Sequence, residues 1–158
     1  MNKKNKITKK ISPKKKVVVA VSGGFDPIHI GHVRMFEEAK KLGDKLVVII
    51  NCDDWLKRKK GFAFMPEKER AEIIQALKPV DEVYVHHSDD HHVCGALKKI
   101  KPNIFANGGD RKNIADIPEA EICEALGIEM IFNIGYGGKV QSSSWLTAKI
   151  LPKTKKQK

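Results

Sequence analysis

The stretch VAVSGGFDPIHIGHVRMFEEAKKLGD, residues 19–44, joins a valine-rich apolar run to an amphipathic run through a turn with two glycines and a proline. The change from a continuous apolar run to helical periodicity predicts a buried strand followed by a helix. Gly23 and Gly24 permit close backbone approach at this turn, and Pro27 stiffens it. Because a helix N-terminus offers unpaired N–H groups and a partial positive charge, such a turn is typical of a phosphate site.

The rest of the chain repeats the alternation of strand and helix. Short apolar runs rich in valine and isoleucine predict five buried strands, at KVVVAVS, KLVVIIN, EVYVHH, NIFAN and IEMIFNI. Helical patterns cover residues 33–42, 67–77, 93–100, 118–126 and about 143–150. This order predicts an α/β, Rossmann-like single domain whose mostly parallel five-stranded sheet has helices on both faces. Ligands are expected at the carboxyl ends of the strands, near the point where strand order reverses.

Positive charge is concentrated at the two ends of the chain. The formal net charge is +11, but residues 1–16 hold eight lysines, residues 151–158 hold four, and neither segment has an acidic residue. The interval 17–150 carries 18 basic and 19 acidic residues and is close to neutral. We therefore predict one folded domain over 17–150 between two flexible basic tails, interpreted as solvated rather than as specific nucleic-acid-binding segments.

Targeting features and cysteines bear on the compartment. Neither tail has the apolar core of a signal peptide, and no apolar stretch approaches the length of a membrane span. The three cysteines, Cys52, Cys94 and Cys123, have no CxxC spacing, which favours reduced thiols over a disulfide framework. These features predict a cytoplasmic protein without membrane insertion.

The spacing of His29 and His32 in the first turn suggests chemistry. At a helix start they would lie on one face and point toward the same anion. Imidazole suits phosphoryl or nucleotidyl transfer because it donates a hydrogen bond when neutral and a stronger one when protonated. Two alternatives stand beside this hypothesis. The histidines cap the helix or lie on the surface, or they bind zinc, for which the sequence offers no third ligand at a usual spacing nearby.

The segment GGFDPIHIGH, residues 23–32, resembles the HxGH signature of the nucleotidyltransferase superfamily. The resemblance covers about residues 17–150 and continues through AKKLGDKLVVIINCDDWLKRKKG, MPEKERAEIIQALKPVDEVYV, IKPNIFANGGDR and GKVQSSSWL. Within the superfamily the chain is most similar to the sugar-phosphate branch, which includes heptose 1-phosphate adenylyltransferases and glycerol-3-phosphate cytidylyltransferases. Residues 17–150 are thereby identified as a nucleotidyltransferase catalytic domain.

The resemblance implies an enzyme that transfers AMP from ATP to a phosphorylated sugar or polyol and releases pyrophosphate, with Mg²⁺ accompanying the triphosphate. ATP is favoured over CTP because Arg111 stands where cytidylyltransferases have a tryptophan, and because YGGKV replaces their Arg-Thr before the serine run. Two alternatives stay open: CTP-dependent transfer to glycerol 3-phosphate or a similar acceptor, and a nucleotide-binding module without catalysis. Relatives commonly form homodimers, so the resemblance also implies a homodimer.

Motif positions assign roles to residues of the first turn and of the basic segment after the second strand. His29 and His32 would contact the triphosphate and stabilise the transition state, while the backbone amides of Gly24 and Phe25 would cradle the α-phosphate. Gly23 is expected beside them in the nucleotide site. On the acceptor side, Asp26 is expected to hold the loop rather than act as a base. Lys57 and Lys60 match a family lysine that reaches the phosphates and the acceptor, and Lys57 is preferred because Lys60 precedes a glycine in a predicted loop.

Three further segments complete the predicted site. Arg70 matches an arginine that shapes the active-site wall, and the alternative is a surface ion pair with Glu67. Asp110, with Arg111 beside it, is a candidate contact to the ribose or base. A segment at a helix start would present N–H and hydroxyl donors to the β- and γ-phosphates; it comprises Gln141, Ser142, Ser143 and Ser144.

The run HHSDDHH, which holds His86, His87, His91 and His92, has no counterpart in the motifs above. It follows the third strand in a predicted loop, where close neighbours cannot all turn inward. A solvated loop or part of the acceptor pocket is therefore favoured over a zinc site. No residue is predicted as a dedicated metal ligand, since Mg²⁺ bound to a triphosphate needs no protein cage.

Overall fold

The computed structural model describes residues 15–87, 92–108 and 117–149. The tails predicted over 1–16 and 151–158 lie outside these residues, apart from Lys15 and Lys16. The strands are β1 (Val18–Gly23), β2 (Lys45–Asn51), β3 (Glu82–His86), β4 (Ile104–Gly108) and β5 (Glu129–Ile134). The helices are α1 (Ile30–Lys41), α2 (Asp53–Lys60), α3 (Glu67–Gln75), α4 (Cys94–Ile100), α5 (Ala120–Leu126) and α6 (Ser143–Ala148).

The five strands form one parallel sheet in the order β3-β2-β1-β4-β5, which confirms the predicted Rossmann-like α/β architecture. The chain winds outward from β1 through β2 to β3 and then returns to the other side of β1 to form β4. Strand order therefore reverses between β1 and β4. The next described helices after these two strands, α1 and α5, pack in different apolar clusters, and the crevice between such strands is where ligands bind in such sheets.

Helices cover both faces of the sheet. Phe36 of α1 and Ile74 of α3 are buried in one apolar cluster, and Leu97 of α4 and Cys123 of α5 are buried in the other. β2 is buried from its second residue to its last, as expected for a central parallel strand. Full burial of one such aliphatic side chain contributes roughly 1.5–3 kcal/mol to the free energy of folding. The buried sheet is therefore stable and supports the loops at its edge.

Two helices differ from the predictions. α1 begins at Ile30, three residues before the predicted start, because His29 and His32 cap it as described below. α2 is absent from the predicted helices because its sequence, DDWLKRKK, is mostly charged. Its two aspartates lie in the first turn and its four cations in the last turn, which complements the helix dipole. That charge order was a usable signal for a helix.

The helices and cysteines of the described residues bear on the predictions about membrane insertion and disulfides. None of the helices in the described ranges is long and apolar enough to cross a membrane. The three cysteines form no disulfide in the part of the chain that the structure describes. Burial, together with the nearby charge of Glu119, raises the pKa of the Cys123 thiol to about 11, so this thiol stays protonated at neutral pH.

Candidate active site

The loop from β1 to α1 holds His29 and His32 in a reciprocal cap. His29 is the N-cap residue of α1, and its Nδ1 accepts the N–H of Gly31 at 3.2 Å. In return, Nδ1 of His32 accepts the N–H of His29 at 3.2 Å. Since both Nδ1 atoms accept hydrogen bonds, the proton of each neutral ring lies on Nε2, which is left to donate to a ligand. The capping alternative and the catalytic hypothesis are therefore compatible.

Packing fixes the two rings and keeps them uncharged. Their centroids are 3.6 Å apart in a stacked arrangement, and Phe25 contacts the His32 ring edge-on at 4.9 Å. Burial lowers the pKa of His29, and burial followed by the charge of His29 lowers the pKa of His32 to about 3. Both rings are thus neutral hydrogen-bond donors near pH 7 in the ligand-free protein. An arriving polyphosphate would favour their protonated forms.

Asp26 anchors the first loop to the segment that precedes α3. Its buried carboxylate accepts the N–H groups of Phe64 and Met65 at 2.8 and 2.7 Å. The same carboxylate pairs with Nζ of Lys60 at 2.7 Å, and Lys60 also donates to the Asp26 carbonyl oxygen at 2.9 Å. These contacts agree with the predicted loop-holding role of Asp26.

The two candidate lysines of α2 occupy different environments. The side chain of Lys57 is 59% exposed and lies 3.3 Å from Asp54 of its own helix. It does not line either cavity described below, whereas Lys60, at 28% exposure, lines one of them. The sequence favours Lys57, but the geometry favours Lys60, because the left-handed residue Gly61 ends α2 and leaves Lys60 directed at the first loop.

Arg70 is fully buried, so the alternative of a surface pair with Glu67 is wrong. Its guanidinium donates to the carbonyl oxygens of Met65, Gly24 and Asn51 and pairs with Asp53 at 2.6 Å. The arginine thus joins the first loop, the end of β2 and the start of α2. Arg70 lines neither of the two cavities and therefore shapes the site wall from behind instead of contacting a phosphate.

Two adjoining cavities lie at the carboxyl edge of the sheet. The first, which we name the glycine-loop cavity, has a volume of about 490 Å³ and is bordered by the end of β4 and the segment 133–143. The second, the aromatic cavity, has a volume of about 540 Å³ and is bordered by α2, Phe62 and the starts of α4 and α5. Both fall in the usual size range of small-molecule sites. They share one boundary, formed by Ser22, Gly23, Phe25, His32, Ser142 and Ser143.

The serine run lies at this boundary, and each hydroxyl has a contact. Ser142 caps α6 by accepting the N–H of Trp145 at 3.1 Å, and its Oγ lies 2.9 Å from that of Ser144. Ser143 donates to the carbonyl oxygen of Pro27 at 2.8 Å, which ties α6 to the first loop. Gln141 lines the glycine-loop cavity and accepts the N–H of Ser142. Contact of this run with the β- and γ-phosphates stays a prediction.

Two of the predicted site residues lie outside the described residues, and two residues that line a cavity are not predicted from the motifs. Asp110 and Arg111 are outside the described residues, although β4 ends at Gly108 on the edge that holds both cavities. Gly108 permits the close approach of α1, since a Cβ there would lie 2.5 Å from Sδ of Met35. Trp55 and Glu119 line the aromatic cavity, although neither has a predicted role in the site. No local motif marks Glu119.

The histidine run after β3 is divided in the structure. His86 is buried, with Nε2 3.2 Å from the carbonyl oxygen of His92, while His91 lies outside the described residues. His87 lies 3.4 Å from Glu67 and forms with it and Cys52 a group whose potential ligand atoms lie within 4.8 Å of one another. Glu67 also accepts the N–H of Asp53 at 2.8 Å, so hydrogen bonding accounts for its position without a metal ion.

The sequence signature of the cytidylyltransferase-like family matches residues 20–131. This match covers most of the chain, including the first loop, the whole of β2, β3 and β4, and parts of β1 and β5. The chain therefore belongs to the cytidylyltransferase-like family, in agreement with the resemblance of its motifs. The class of enzyme that this family and its relatives define is that of the nucleotidyltransferases.

Named relatives include FAD synthases. The FAD synthase of Ferroglobus placidus is 47% identical over 93 residues, which are 59% of this chain and 59% of that protein, so the chain matches about three fifths of its length. The FAD synthase of Thermoplasma acidophilum is 32% identical over 85% of this chain and 94% of that protein. A solved structure, the lipopolysaccharide core biosynthesis protein from Thermoplasma volcanium, has a TM-score of 0.68 and 28% identity and covers 77% of this chain and 99% of its own.

Proposed function

We propose that this protein transfers AMP from ATP to the phosphate of FMN, which forms FAD and releases pyrophosphate. The observation that carries the proposal is the pair of cavities that meet at His32. The glycine-loop cavity is bordered by several glycines and by the amide side chains of Asn107 and Gln141, which suit a nucleotide, and the aromatic cavity includes the rings of Trp55 and Phe62, which suit a flat ring. The relatives named FAD synthase support FMN as the acceptor.

The proposed reaction is an in-line displacement at the α-phosphorus of ATP. An oxygen of the FMN phosphate bonds to that phosphorus, the bond to the oxygen between the α- and β-phosphorus breaks, and pyrophosphate leaves with the electron pair. The FMN phosphate is already an anion at neutral pH, so a strong base is not required. The chain has to supply alignment and hydrogen-bond donors where negative charge develops.

In this proposal, His29 and His32 provide those donors through Nε2, because both Nδ1 atoms already accept backbone N–H groups. As negative charge moves to the leaving pyrophosphate, the pKa of each ring rises and its hydrogen bonds become charge-assisted. Donors that are already oriented before the reaction stabilise the transition state more than flexible ones, because they need no reorganisation. Lys60, held by Asp26 at the aromatic cavity, adds positive charge on the acceptor side.

Mg²⁺ is expected to enter with ATP and to neutralise charge on the leaving pyrophosphate. Asp26, the carboxylate nearest the first loop, is already engaged by Lys60 and two backbone N–H groups. Among the described residues, the one group of three potential ligands borders neither cavity. The residues present therefore fit a Mg²⁺ ion that is held mainly by phosphate oxygens and water, as is usual for this ion.

A phosphorylated sugar is the second candidate acceptor, as the resemblance to heptose 1-phosphate adenylyltransferases implies. The observation that favours it is the fold similarity to a lipopolysaccharide core biosynthesis protein. Such an acceptor would occupy the same cavity with its phosphate at the same boundary. CTP as the donor and the homodimer stay predictions from the resemblance.

The test measures pyrophosphate release and FAD formation with Mg²⁺. ATP and CTP are each combined with FMN, with pooled sugar 1-phosphates and with glycerol 3-phosphate. We expect FAD from ATP and FMN, lost in His29→Ala and kept in Lys68→Ala, a matched change on the exposed side of α3. Turnover of ATP with sugar phosphates alone would establish the second candidate, and turnover with CTP alone would correct the donor. Nucleotide binding without any turnover would indicate a binding module.

A further inference from the structure

Two buried side-chain polar atoms, each in a residue that lines the aromatic cavity, have no hydrogen-bond partner. They are Nε1 of Trp55 and Oε2 of Glu119, and no other buried side-chain nitrogen or oxygen in the described residues is unpaired. Glu119 as a whole is only 5% exposed. Both residues line the aromatic cavity. The two unpaired atoms thus belong to residues that line the same ligand-sized space.

Such atoms are costly unless something pairs with them. Leaving a buried donor or acceptor unpaired costs about 1–3 kcal/mol, and more when the group is charged, so native structures rarely keep one without a reason. Each side chain also makes one contact through its other atoms. Oε1 of Glu119 accepts the N–H of Val93 at 3.2 Å, and Nζ of Lys59 lies 4.5 Å from the centroid of the Trp55 ring. A donor and an acceptor beside aromatic and aliphatic side chains of one cavity are features of a recognition site.

We infer that Trp55 and Glu119 recognise the ring of the acceptor, and that this ring is a flat heterocycle with an N–H next to a carbonyl group. The indole N–H would donate to the carbonyl oxygen, and the carboxylate would accept the ring N–H. This inference rests on the proposed function, since the flavin of FMN carries such an edge at N3–H and its two flanking carbonyl groups. Apolar residues of the same cavity, Leu56, Phe62 and Val93, suit the faces of a flat ring.

The charged residues of the aromatic cavity bear on which end of the acceptor, its phosphate or its ring, lies at Trp55 and Glu119. A phosphate would be repelled by the Glu119 carboxylate and attracted by Lys59, by Lys60 and by the donor of His32, which line the same cavity. Lys59 lies over the Trp55 ring, whereas Lys60 contacts the first loop and His32 borders both cavities. The phosphate is therefore placed at the boundary between the cavities, near Lys60 and His32, and the ring at Trp55 and Glu119. This orientation brings the nucleophilic oxygen to the place where the ATP phosphates are expected. A sugar phosphate has no flat face and no imide-like edge to use these two residues in this way.

The experiment measures binding of FMN by flavin fluorescence and of ATP by calorimetry, together with FAD formation. Glu119→Gln keeps an oxygen for the Val93 N–H but places an amide where the carboxylate accepts. We expect its Kd for FMN to rise about 10- to 100-fold and its Kd for ATP to stay within about 2-fold, the loss typical of a hydrogen bond to a charged group. Trp55→Phe should raise the FMN Kd about 3- to 10-fold. Glu121→Gln, an exposed position of α5, is the matched control.

A ligand change tests the same contact without altering the protein. FMN methylated at N3 has no ring N–H, so the unmodified protein should bind it about 10-fold or more weakly than FMN, while Glu119→Gln should bind the two ligands alike. Equal binding of both flavins by the unmodified protein, or unchanged FMN binding by Glu119→Gln, would overturn the inference and would mean that water pairs with these atoms. FMN binding that depends on Glu119 but gives no FAD would overturn the proposed function alone. FAD formation that neither variant affects would overturn this inference alone.

Discussion

The two cavities of this protein are built in different ways. The glycine-loop cavity is lined largely by two short stretches of sequence, the first turn and the segment 133–143, with the end of β4 between them. The aromatic cavity takes side chains from the first turn, α2, the loop at Phe62, α4, α5 and α6. Motifs that lie close together in sequence can be recognised without a structure, whereas side chains brought together from distant elements cannot. The residues on the nucleotide side of the site can therefore be predicted from the sequence, and those on the acceptor side cannot.

The largest expected effect concerns Arg70, which supports the first loop that borders both cavities. Arg70→Met should lower the free energy of unfolding by about 3–5 kcal/mol, because it leaves Asp53 without its ion-pair partner and three carbonyl oxygens without a donor. Urea denaturation measures this loss, and Lys68→Met on the exposed side of α3 is the control. A loss below about 1 kcal/mol would mean that Arg70 does not hold the cavity walls in place.

The next effect tests the boundary where the cavities meet. His32→Asn keeps an oxygen that can accept the His29 N–H but has no ring that can take up a proton. We expect kcat/KM for nucleotidyl transfer to fall about 10²- to 10³-fold, as for loss of one oriented donor to a transition state. Steady-state pyrophosphate release measures the change, and ATP binding by calorimetry should change far less. An equal loss in ATP affinity would make His32 a ground-state binding residue only.

A smaller effect compares two lysines of one helix, one at the aromatic cavity and one in solvent. Lys60→Ala should lower kcat/KM about 10- to 50-fold, because it removes positive charge from the acceptor side and leaves the buried Asp26 carboxylate without its cation. Lys57→Ala should stay within about 2-fold, since its exposed pair with Asp54 is worth little. The same assay covers both variants. The reverse order of effects would restore Lys57, the choice that the sequence favours.

The smallest effect is a dependence of stability on pH. The pKa of His32 is about 3 in the folded protein and 6.5 in its ordinary state, so the unfolded chain binds more protons between these values. Stability should therefore fall as the pH decreases through this window, by up to about 1.4 kcal/mol per pH unit. Between pH 7 and pH 5, the unmodified protein should lose about 1–2 kcal/mol more than His32→Asn in urea denaturation. Equal losses would show that another group dominates.

The short apolar runs of the sequence predict where the strands lie, and the observed strand bounds agree closely with those runs. β2 occupies the predicted run, Lys45–Asn51, because a strand buried on both faces must be apolar at every position. The helix α2 is missed for the opposite reason: only Trp55 and Leu56 interrupt its charged residues. The charge order along α2, acids first and bases last, is a weaker signal than apolar periodicity.

The candidate site residues differ in how much of their role can be predicted from nearby sequence and how much depends on the tertiary structure. The sequence alone identifies His29 and His32 as a pair, since a spacing of three at a helix start puts both side chains on one face. It identifies Asp26 as a loop-holding residue but does not reveal that Phe64, Met65 and Lys60 are its partners. It also leaves Arg70 undecided between the wall of the site and the surface, because burial depends on elements far along the chain.

The sequence by itself determines the family, the strand and helix order and the histidine turn, because each depends on residues within a few positions of one another. The tertiary structure alone decides that Lys60 rather than Lys57 lines a cavity, that Arg70 is a buried brace, and that the two unpaired buried atoms belong to residues that line one cavity. Trp55 and Glu119 are 64 positions apart in the sequence. Only the return of the chain across the sheet to form β4 brings their elements to the same edge, so no local pattern could have paired them.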